Sequence, residues 1–157
     1  MPKITPYLWF DNQAEEAMNL YTSIFPNSRF GGISRYGEGE SGEPGTIMTG
    51  NFSLDGQEFM VLNGGPQFKF NEAISLFVHC DTQEEVNRYW DQLVEGGEPG
   101  PCGWLKDKFG LSWQIIPKLL GELIGDPDPA KSQRVVQAML KMTKIESELL
   151  QQAYDES

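Results

Sequence analysis

Hydrophobic and polar positions follow first a strand pattern and then a helix pattern near the start of the chain. Residues 3–10 alternate as a strand does, and apolar residues recur at helical spacing from Ala17 to Phe25. Three strand-like runs follow, at residues 29–36, 46–54 and 58–63. Asp55-Gly56, between the last two runs, is typical of a tight hairpin turn. The pattern therefore predicts a βαβββ module over residues 3–63.

The same order of elements returns in the second half. A strand-like run at residues 74–80 precedes an apolar helical stripe from Val86 to Val94, and two further strand-like runs flank the turn residue Gly110. A shift of 69 residues aligns the first strand and helix with the second pair, as expected for an internal repeat. Chance similarity of two amphipathic βα units is the alternative. We predict a second module over about residues 73–117.

Two pairs of polar residues mark the predicted helix starts. Asn12 with Glu15, and Thr82 with Glu85, have the spacing of a capping box, in which each residue satisfies a backbone N–H of the first turn. We therefore predict that both helices are capped by residues close to them in sequence.

Residues 118–155 have a different pattern, which predicts a helical extension. A short helix begins at Pro117 and ends at Gly125, and Asp128-Pro129 predicts the start of one long helix. Its apolar stripe contains Val135, Met139, Met142, Ile145 and Leu149. The stripe needs a cover, and the sequence leaves open whether this is the chain's own sheet or a second copy.

Composition narrows the class of protein. A chain of 157 residues with 39% hydrophobic content predicts a single soluble domain over residues 1–157. The net charge of −11 argues against nucleic acid or an anionic membrane as a partner. The sequence shows neither a membrane span nor a signal peptide, and Cys80 and Cys102 form no disulfide framework. We therefore expect a cytoplasmic protein with reduced thiols.

Five segments resemble a known family: PYLWF, EEAMNLY, SLFVHCD, CGWLKD and GLSWQIIP. They are similar to the vicinal oxygen chelate (glyoxalase/bleomycin resistance/dioxygenase) superfamily, and within it to the PhnB-like branch, often labelled 3-demethylubiquinone-9 3-methyltransferase-like. The resemblance implies an α+β fold in which two βαβββ modules form a curled, cup-shaped sheet with helices on its outer face, followed here by the C-terminal extension. It also implies a homodimer.

The resemblance implies where a metal ion would bind if this chain had one. In metal-dependent members, the first and last strand of each module supply one ligand each, and these places fall near Pro6, Met60, Ser75 and Gln114. The 69-residue shift also pairs Pro6 with Ser75. Proline and methionine offer no suitable ligand for a hard divalent ion, and the neutral oxygens of serine and glutamine are weak ligands. We predict no tightly bound metal and no cofactor.

Strand alternation predicts which residues face the cup. Ser75, Phe77 and His79 share one sheet face, and we expect them to lie beside Ser112 and Gln114 of the last strand. Trp104 either covers the cup or packs internally, and Lys106-Asp107-Lys108 reads as a solvated turn. The predicted substrate-binding residues are Met60, Ser75, Phe77, Trp104, Ser112 and Gln114. His79 is either a catalytic acid/base or a hydrogen-bonded structural residue.

The segment at residues 37–42 fits the pattern G-x-G-x-x-G but lacks the context of a nucleotide site. Glu43-Pro44-Gly45 follows it instead of a helix, and its glutamates would repel a phosphate. We therefore predict an acidic loop. A methyltransferase activity has no support from a cofactor-binding motif.

Three functions are compatible with these residues. The first is a protein that binds a small, partly hydrophobic or aromatic molecule in the cup. The second is an enzyme of the lyase, transferase or oxygenase type with His79 and Gln114 in its site. The third is a structural or regulatory dimer whose interface is the tail helix.

Overall fold

The computed structural model describes residues 3–156. The chain divides into two compact units, Met1–Phe70 and Asn71–Ser157. This division falls between the two predicted modules, so each module folds within its own unit.

The first unit is one βαβββ module. Its elements are β1 (Tyr7–Phe10), α1 (Ala14–Ile24), β2 (Arg29–Arg35), β3 (Ile47–Leu54) and β4 (Gln57–Asn63). The strands form a mixed sheet in the order β1-β4-β3-β2, with β1 parallel to β4 and the other pairs antiparallel. Asp55 and Gly56 have φ values of 48° and 85°, as the predicted tight turn requires. Residues 37–42 lie in a loop, as predicted.

The cap of α1 differs from the prediction. No side chain of the preceding residues caps the helix, and Glu15 instead pairs with Arg35. The backbone N–H of Ala14 donates to Oδ1 of Asn63, at the end of β4, over 2.9 Å. The Asn12–Glu15 capping box is therefore wrong, because a buried amide from a distant strand takes its place.

The second unit repeats the module and adds three helices. Its module consists of β5 (Ser75–Cys80), α2 (Gln83–Val94), β6 (Glu98–Pro99), β7 (Trp104–Lys106) and β8 (Ser112–Pro117). The sheet has the order β5-β8-β7-β6, with β5 parallel to β8. Thr82 Oγ1 accepts the N–H of Glu85, so the second predicted cap is confirmed. The predicted α+β fold with two βαβββ modules and C-terminal helices is confirmed.

The first strands of the two modules end 70 residues apart rather than 69, since β1 ends at Phe10 and β5 ends at Cys80. Tyr7 pairs with Met60 in one sheet and Phe77 pairs with Gln114 in the other, and Tyr7 and Phe77 are both exposed. The helices keep the 69-residue shift, since Ala14 and Gln83 each begin one. A slip of one residue turns every strand side chain to the other face. Counted from these strand ends, Ser75 corresponds to Thr5 rather than to Pro6, and both of these residues precede β1. The pairing of Ser75 with Pro6 stays a prediction.

The C-terminal extension contains three helices, α3 (Lys118–Ile124), α4 (Pro129–Met139) and α5 (Ser147–Asp155). Asp128 caps α4 as predicted, by accepting the N–H of Ala130. The single long helix is wrong, since residues 140–146 are not helical. Within this break, the carbonyl groups of Met142 and Thr143 bond to the β6–β7 loop. A cluster of buried residues joins the extension to β8: Ile116, Leu120, Leu123, Val135, Ile145 and Leu150.

Leu149 was expected on the buried stripe, but it is 47% exposed. The break after α4 changes the register of α5, so the helical spacing no longer carries Leu149 to the buried side. Among residues 3–156, none of the helices has both the length and the apolar character needed to cross a membrane.

Candidate ligand site on the second module

One face of the second sheet brings four predicted site residues together. Strand register places Gln114 between Phe77 of β5 and Trp104 of β7. The side-chain amide of Gln114 donates to Oγ of Ser75 over 3.0 Å. Side chains of paired residues on adjacent strands point to the same face. Phe77, Gln114, Trp104 and Ser75 therefore form one continuous surface.

A cleft of about 520 Å³ opens at one end of this face. It lies within the second unit, between the β6–β7 loop and the strands β7 and β8. Residues that line it include Pro99, Pro101, Cys102, Trp104, Lys106 and Ser112. Most of these side chains are apolar, which is the usual character of a small-molecule site with a few polar groups.

Ser112 is the polar residue that the cleft buries most deeply. Its side chain is 1% exposed, and its Oγ has no hydrogen-bond partner among residues 3–156. A buried hydroxyl without a partner costs about 1–3 kcal/mol relative to one that is hydrogen-bonded. Ser112 lines the cleft, but less than 1 Å² of its Oγ is exposed, so a bound molecule supplies the missing partner only if the wall of the cleft shifts. The sequence predicted Ser112 in the site but gave no sign of this unmet hydrogen bond.

An ion pair between Lys106 and Glu72 lies at the rim of the cleft. The hydrogen bond between the two groups raises the pKa of Lys106 and lowers the pKa of Glu72. Both groups therefore stay charged over a wide pH range and neutralise one another. Glu98 also lines the cleft, so the charged residues of the lining leave one net negative charge, which disfavours an anionic ligand.

Asp107 has a role that the sequence did not reveal. It was expected in a solvated turn, but its side chain is 2% exposed. Its carboxylate accepts the N–H groups of Phe109 and Leu111, and the indole N–H of Trp113. These bonds fix the turn that leads into Ser112. The signal that could have found it is its place before a glycine turn and a tryptophan, although that pattern also fits a surface turn.

Cys102 is the other unusual residue of the cleft. It is partly exposed, and its φ of 58° lies in the left-handed region that glycine favours. Cys80, in contrast, is fully buried at the end of β5. Burial raises the pKa of Cys80 to about 12, and the nearby carboxylates of Glu85 and Asp81 add to the effect. Of the two thiols, only Cys102 lines the cleft.

His79 lies at the opposite end of the face from Ser112. It pairs with Ile116, four residues after Ser112 on β8, which corresponds to about 13 Å along the strand. Its imidazole ring contacts the exposed ring of Phe77, with 4.7 Å between the ring centroids. The structure therefore does not bring His79 to the cleft.

Met60 belongs to the first unit, where it lies beside Tyr7 and is 38% exposed. Its predicted contact with a ligand stays a prediction, as does the predicted homodimer.

The residues at the family's metal positions do not fit a divalent ion. The amide of Gln114 is bound to the hydroxyl of Ser75, and Met60 supplies only a thioether. Within residues 3–156, no three His, Cys, Asp or Glu side chains are grouped in a way that could hold a metal. The loop at residues 37–42 does not fit a nucleotide-type cofactor either, because no helix follows it.

Comparisons with known proteins agree with this fold. A Bacillus cereus PhnB protein, whose description suggests a 3-demethylubiquinone-9 3-methyltransferase, is 41% identical over 74% of this chain and 99% of its own, with a TM-score of 0.69. Protein PA1353 of Pseudomonas aeruginosa is 20% identical over 74% of this chain and 98% of its own, with a TM-score of 0.61, and shows the fold alone.

A comparison with curated proteins finds no match. The family model described as 3-demethylubiquinone-9 3-methyltransferase matches residues 2–116. That span covers both βαβββ modules and ends within β8. The chain therefore belongs to the PhnB-like 3-demethylubiquinone-9 3-methyltransferase family.

Proposed function

We propose that this protein binds a small, partly hydrophobic or aromatic molecule in the cleft of its second module, without a tightly bound metal. The observation that carries the proposal is the buried hydroxyl of Ser112, which has no partner among the described residues and lines an otherwise mostly apolar cleft.

The chemistry of the cleft narrows the class of ligand. Trp104, Pro99 and Pro101 offer apolar and aromatic contact area, which favours a flat hydrophobic ring. The Ser112 hydroxyl can donate or accept one hydrogen bond. The lining contains Glu98 besides the Lys106–Glu72 pair, which disfavours an anionic ligand. These features together support an aromatic molecule that carries a hydroxyl or carbonyl group and no negative charge.

Other functions have less support. An enzyme that uses His79 with Gln114 would need both groups at one reacting centre. His79 is the strand partner of Ile116, and Gln114 instead bonds to Ser75. A proton transfer needs a separation of about 2.6–3.2 Å between heavy atoms, or one bridging water. The cleft that takes a ligand and the imidazole are therefore at different ends of the face.

Phenol and toluene are suitable probes, because they have nearly the same size and differ only in that phenol carries a hydroxyl group where toluene carries a methyl group. We expect the wild-type protein to bind phenol more tightly, because only phenol satisfies Ser112. A hydrogen bond worth about 0.5–1.5 kcal/mol corresponds to a preference of about two- to tenfold. Ligand-observed NMR titration measures both dissociation constants.

Two variants separate the hydrogen bond from the apolar contact. Ser112→Ala should remove the preference for phenol while toluene still binds. Trp104→Leu should weaken the binding of both probes to a similar degree. Ser34→Ala is a matched control, because this hydroxyl pairs with Thr49 in the first unit. The proposal fails if the wild-type protein binds neither probe, or if Ser112→Ala keeps the full preference.

A further inference from the structure

We propose that the C-terminal extension is a positioning element of the ligand cleft. The segment Met142–Ile145 holds the corner formed by Cys102 and Gly103, and through this corner it sets the affinity of the cleft. The inference rests on the proposed function. The match to the family model ends at residue 116, so the segment lies beyond the part of the chain that defines the family.

Two backbone hydrogen bonds join the segment to the corner. The N–H of Cys102 donates to the carbonyl of Met142 over 2.8 Å, and the N–H of Gly103 donates to the carbonyl of Thr143 over 2.7 Å. Cys102 and Gly103 have φ values of 58° and 85°. A left-handed backbone costs a residue other than glycine about 1–2 kcal/mol, and it persists only where its surroundings fix it. The extension supplies that fixation.

Side-chain packing brings the segment close to the same corner. A Cβ atom at Gly103 would lie 2.7 Å from Cδ1 of Ile116 and 3.0 Å from Cγ1 of Ile145. Ile145 is fully buried. The extension therefore reaches the corner closely only because residue 103 has no side chain.

The corner is in turn connected to both walls of the cleft. The carbonyl of Gly103 accepts the N–H of Ile115 in β8 over 2.8 Å. On the other side, Trp104 begins β7 directly after the corner. A change in the corner would therefore alter the position of Trp104 relative to Ser112. Both residues line the cleft, and the proposed ligand contacts the ring of Trp104 and the hydroxyl of Ser112.

Gln83 at the start of α2 fixes the segment without lining the cleft. Its Nε2 donates to the carbonyl of Ile145 over 2.9 Å, and its Oε1 accepts the N–H of Ser147 over 2.7 Å. Gln83→Leu removes both bonds, together with a bond to Asn87 within α2, and leaves every residue of the cleft unchanged. It is therefore the variant that tests positioning apart from direct ligand contact.

Arg134 supplies the matched control. Its guanidinium donates to the carbonyl groups of Ala153 and Tyr154, and so ties α4 to α5 without touching the corner. We expect Gln83→Leu to weaken phenol binding about threefold or more. Arg134→Leu should lower stability without this effect. Gln83→Glu keeps the acceptor for Ser147 but sets a carboxylate oxygen against the carbonyl of Ile145, so it should weaken phenol binding at least as much as Gln83→Leu.

Hydrogen exchange gives a readout that needs no ligand. The amides of Cys102 and Gly103 should exchange faster in Gln83→Leu than in the wild-type protein, and at the wild-type rate in Arg134→Leu. Unchanged exchange in Gln83→Leu overturns the inference, as does faster exchange with unchanged phenol affinity. If the wild-type protein binds neither phenol nor toluene, the proposed function fails, and the exchange rates still decide whether the extension positions the corner.

Discussion

Asp107 and Trp113 are joined by a buried hydrogen bond in which the indole N–H donates to Oδ2 of the carboxylate over 2.9 Å. Both side chains are 2% exposed. The other oxygen of Asp107 accepts two backbone N–H groups of the turn. One carboxylate thus connects the turn to the strand that carries Ser112.

We expect Asp107→Asn to destabilise the protein. An asparagine can still accept the two backbone N–H groups, but its NH₂ group then faces the indole N–H, and two donors cannot pair. A buried polar group without a partner costs about 1–3 kcal/mol. Urea unfolding of the wild-type and variant proteins measures the loss.

A second substitution shows whether this bond is the cause. Trp113→Phe removes the indole donor, so Asp107→Asn should cost clearly less in that background than in the wild-type protein. An equal cost in both backgrounds would show that the indole bond is not the reason for the loss.

The register partners Ser75 and Ser112 should respond oppositely to the loss of their hydroxyl groups. Ser112→Ala removes a buried hydroxyl without a partner, so the free energy of unfolding should stay the same or rise. Ser75→Ala breaks the bond to Gln114 and should lower it by about 0.5–1.5 kcal/mol. Thermal unfolding of the two variants gives the comparison. A larger loss in Ser112→Ala than in Ser75→Ala would contradict the assignment of Ser112 as unpartnered within the protein.

Local signals in the sequence were sufficient for most of the fold. The hairpin at Asp55-Gly56 depends on two adjacent residues that adopt positive φ, and the cap at Thr82 on a residue three positions away. Alternation was sufficient to place Ser75 and Phe77 on the face of the candidate site. These features depend on neighbours in sequence, so a local pattern of residue types is enough to predict them.

The features that were predicted wrongly depend on contacts between residues that are distant in sequence. Asn63 caps a helix 49 positions earlier, and nothing near Ala14 indicates it. Residues 140–146 contain neither proline nor glycine, and the helix breaks where its carbonyl groups bond to Cys102 and Gly103. The same limit applies to the cleft, because its loop and strand residues converge only after the sheet has formed.

The cap formed by Asn63, which is distant in sequence, should contribute more to stability than the local cap formed by Thr82. Asn63→Ala leaves the N–H of Ala14 and the carbonyl of Ile47 without their partners, and both residues are buried. We expect a loss of about 2–6 kcal/mol, since each of the two buried groups costs about 1–3 kcal/mol. Thr82→Ala removes one exposed local cap and should cost about 1 kcal/mol. Urea unfolding measures both, and equal losses would contradict the greater role of the distant cap.

The buried thiol of Cys80 predicts a loss of stability at alkaline pH. Burial raises its pKa from an ordinary value of 9.0 to about 12, and the charges of Glu85 and Asp81 act in the same direction. Between these two pH values the unfolded chain has released the proton while the folded protein still holds it. The contribution of Cys80 to stability is therefore complete below pH 9 and is lost as the pH rises toward about 12.

Tyrosine and lysine side chains also titrate in this range, so the informative quantity is the difference in stability between the wild-type protein and Cys80→Ala. Urea unfolding at several pH values from 8 to 11 should show the wild-type protein losing stability more steeply than Cys80→Ala, with Cys80→Ser following the alanine variant. Parallel curves for all three proteins would show that the thiol is not held in its neutral form by the fold.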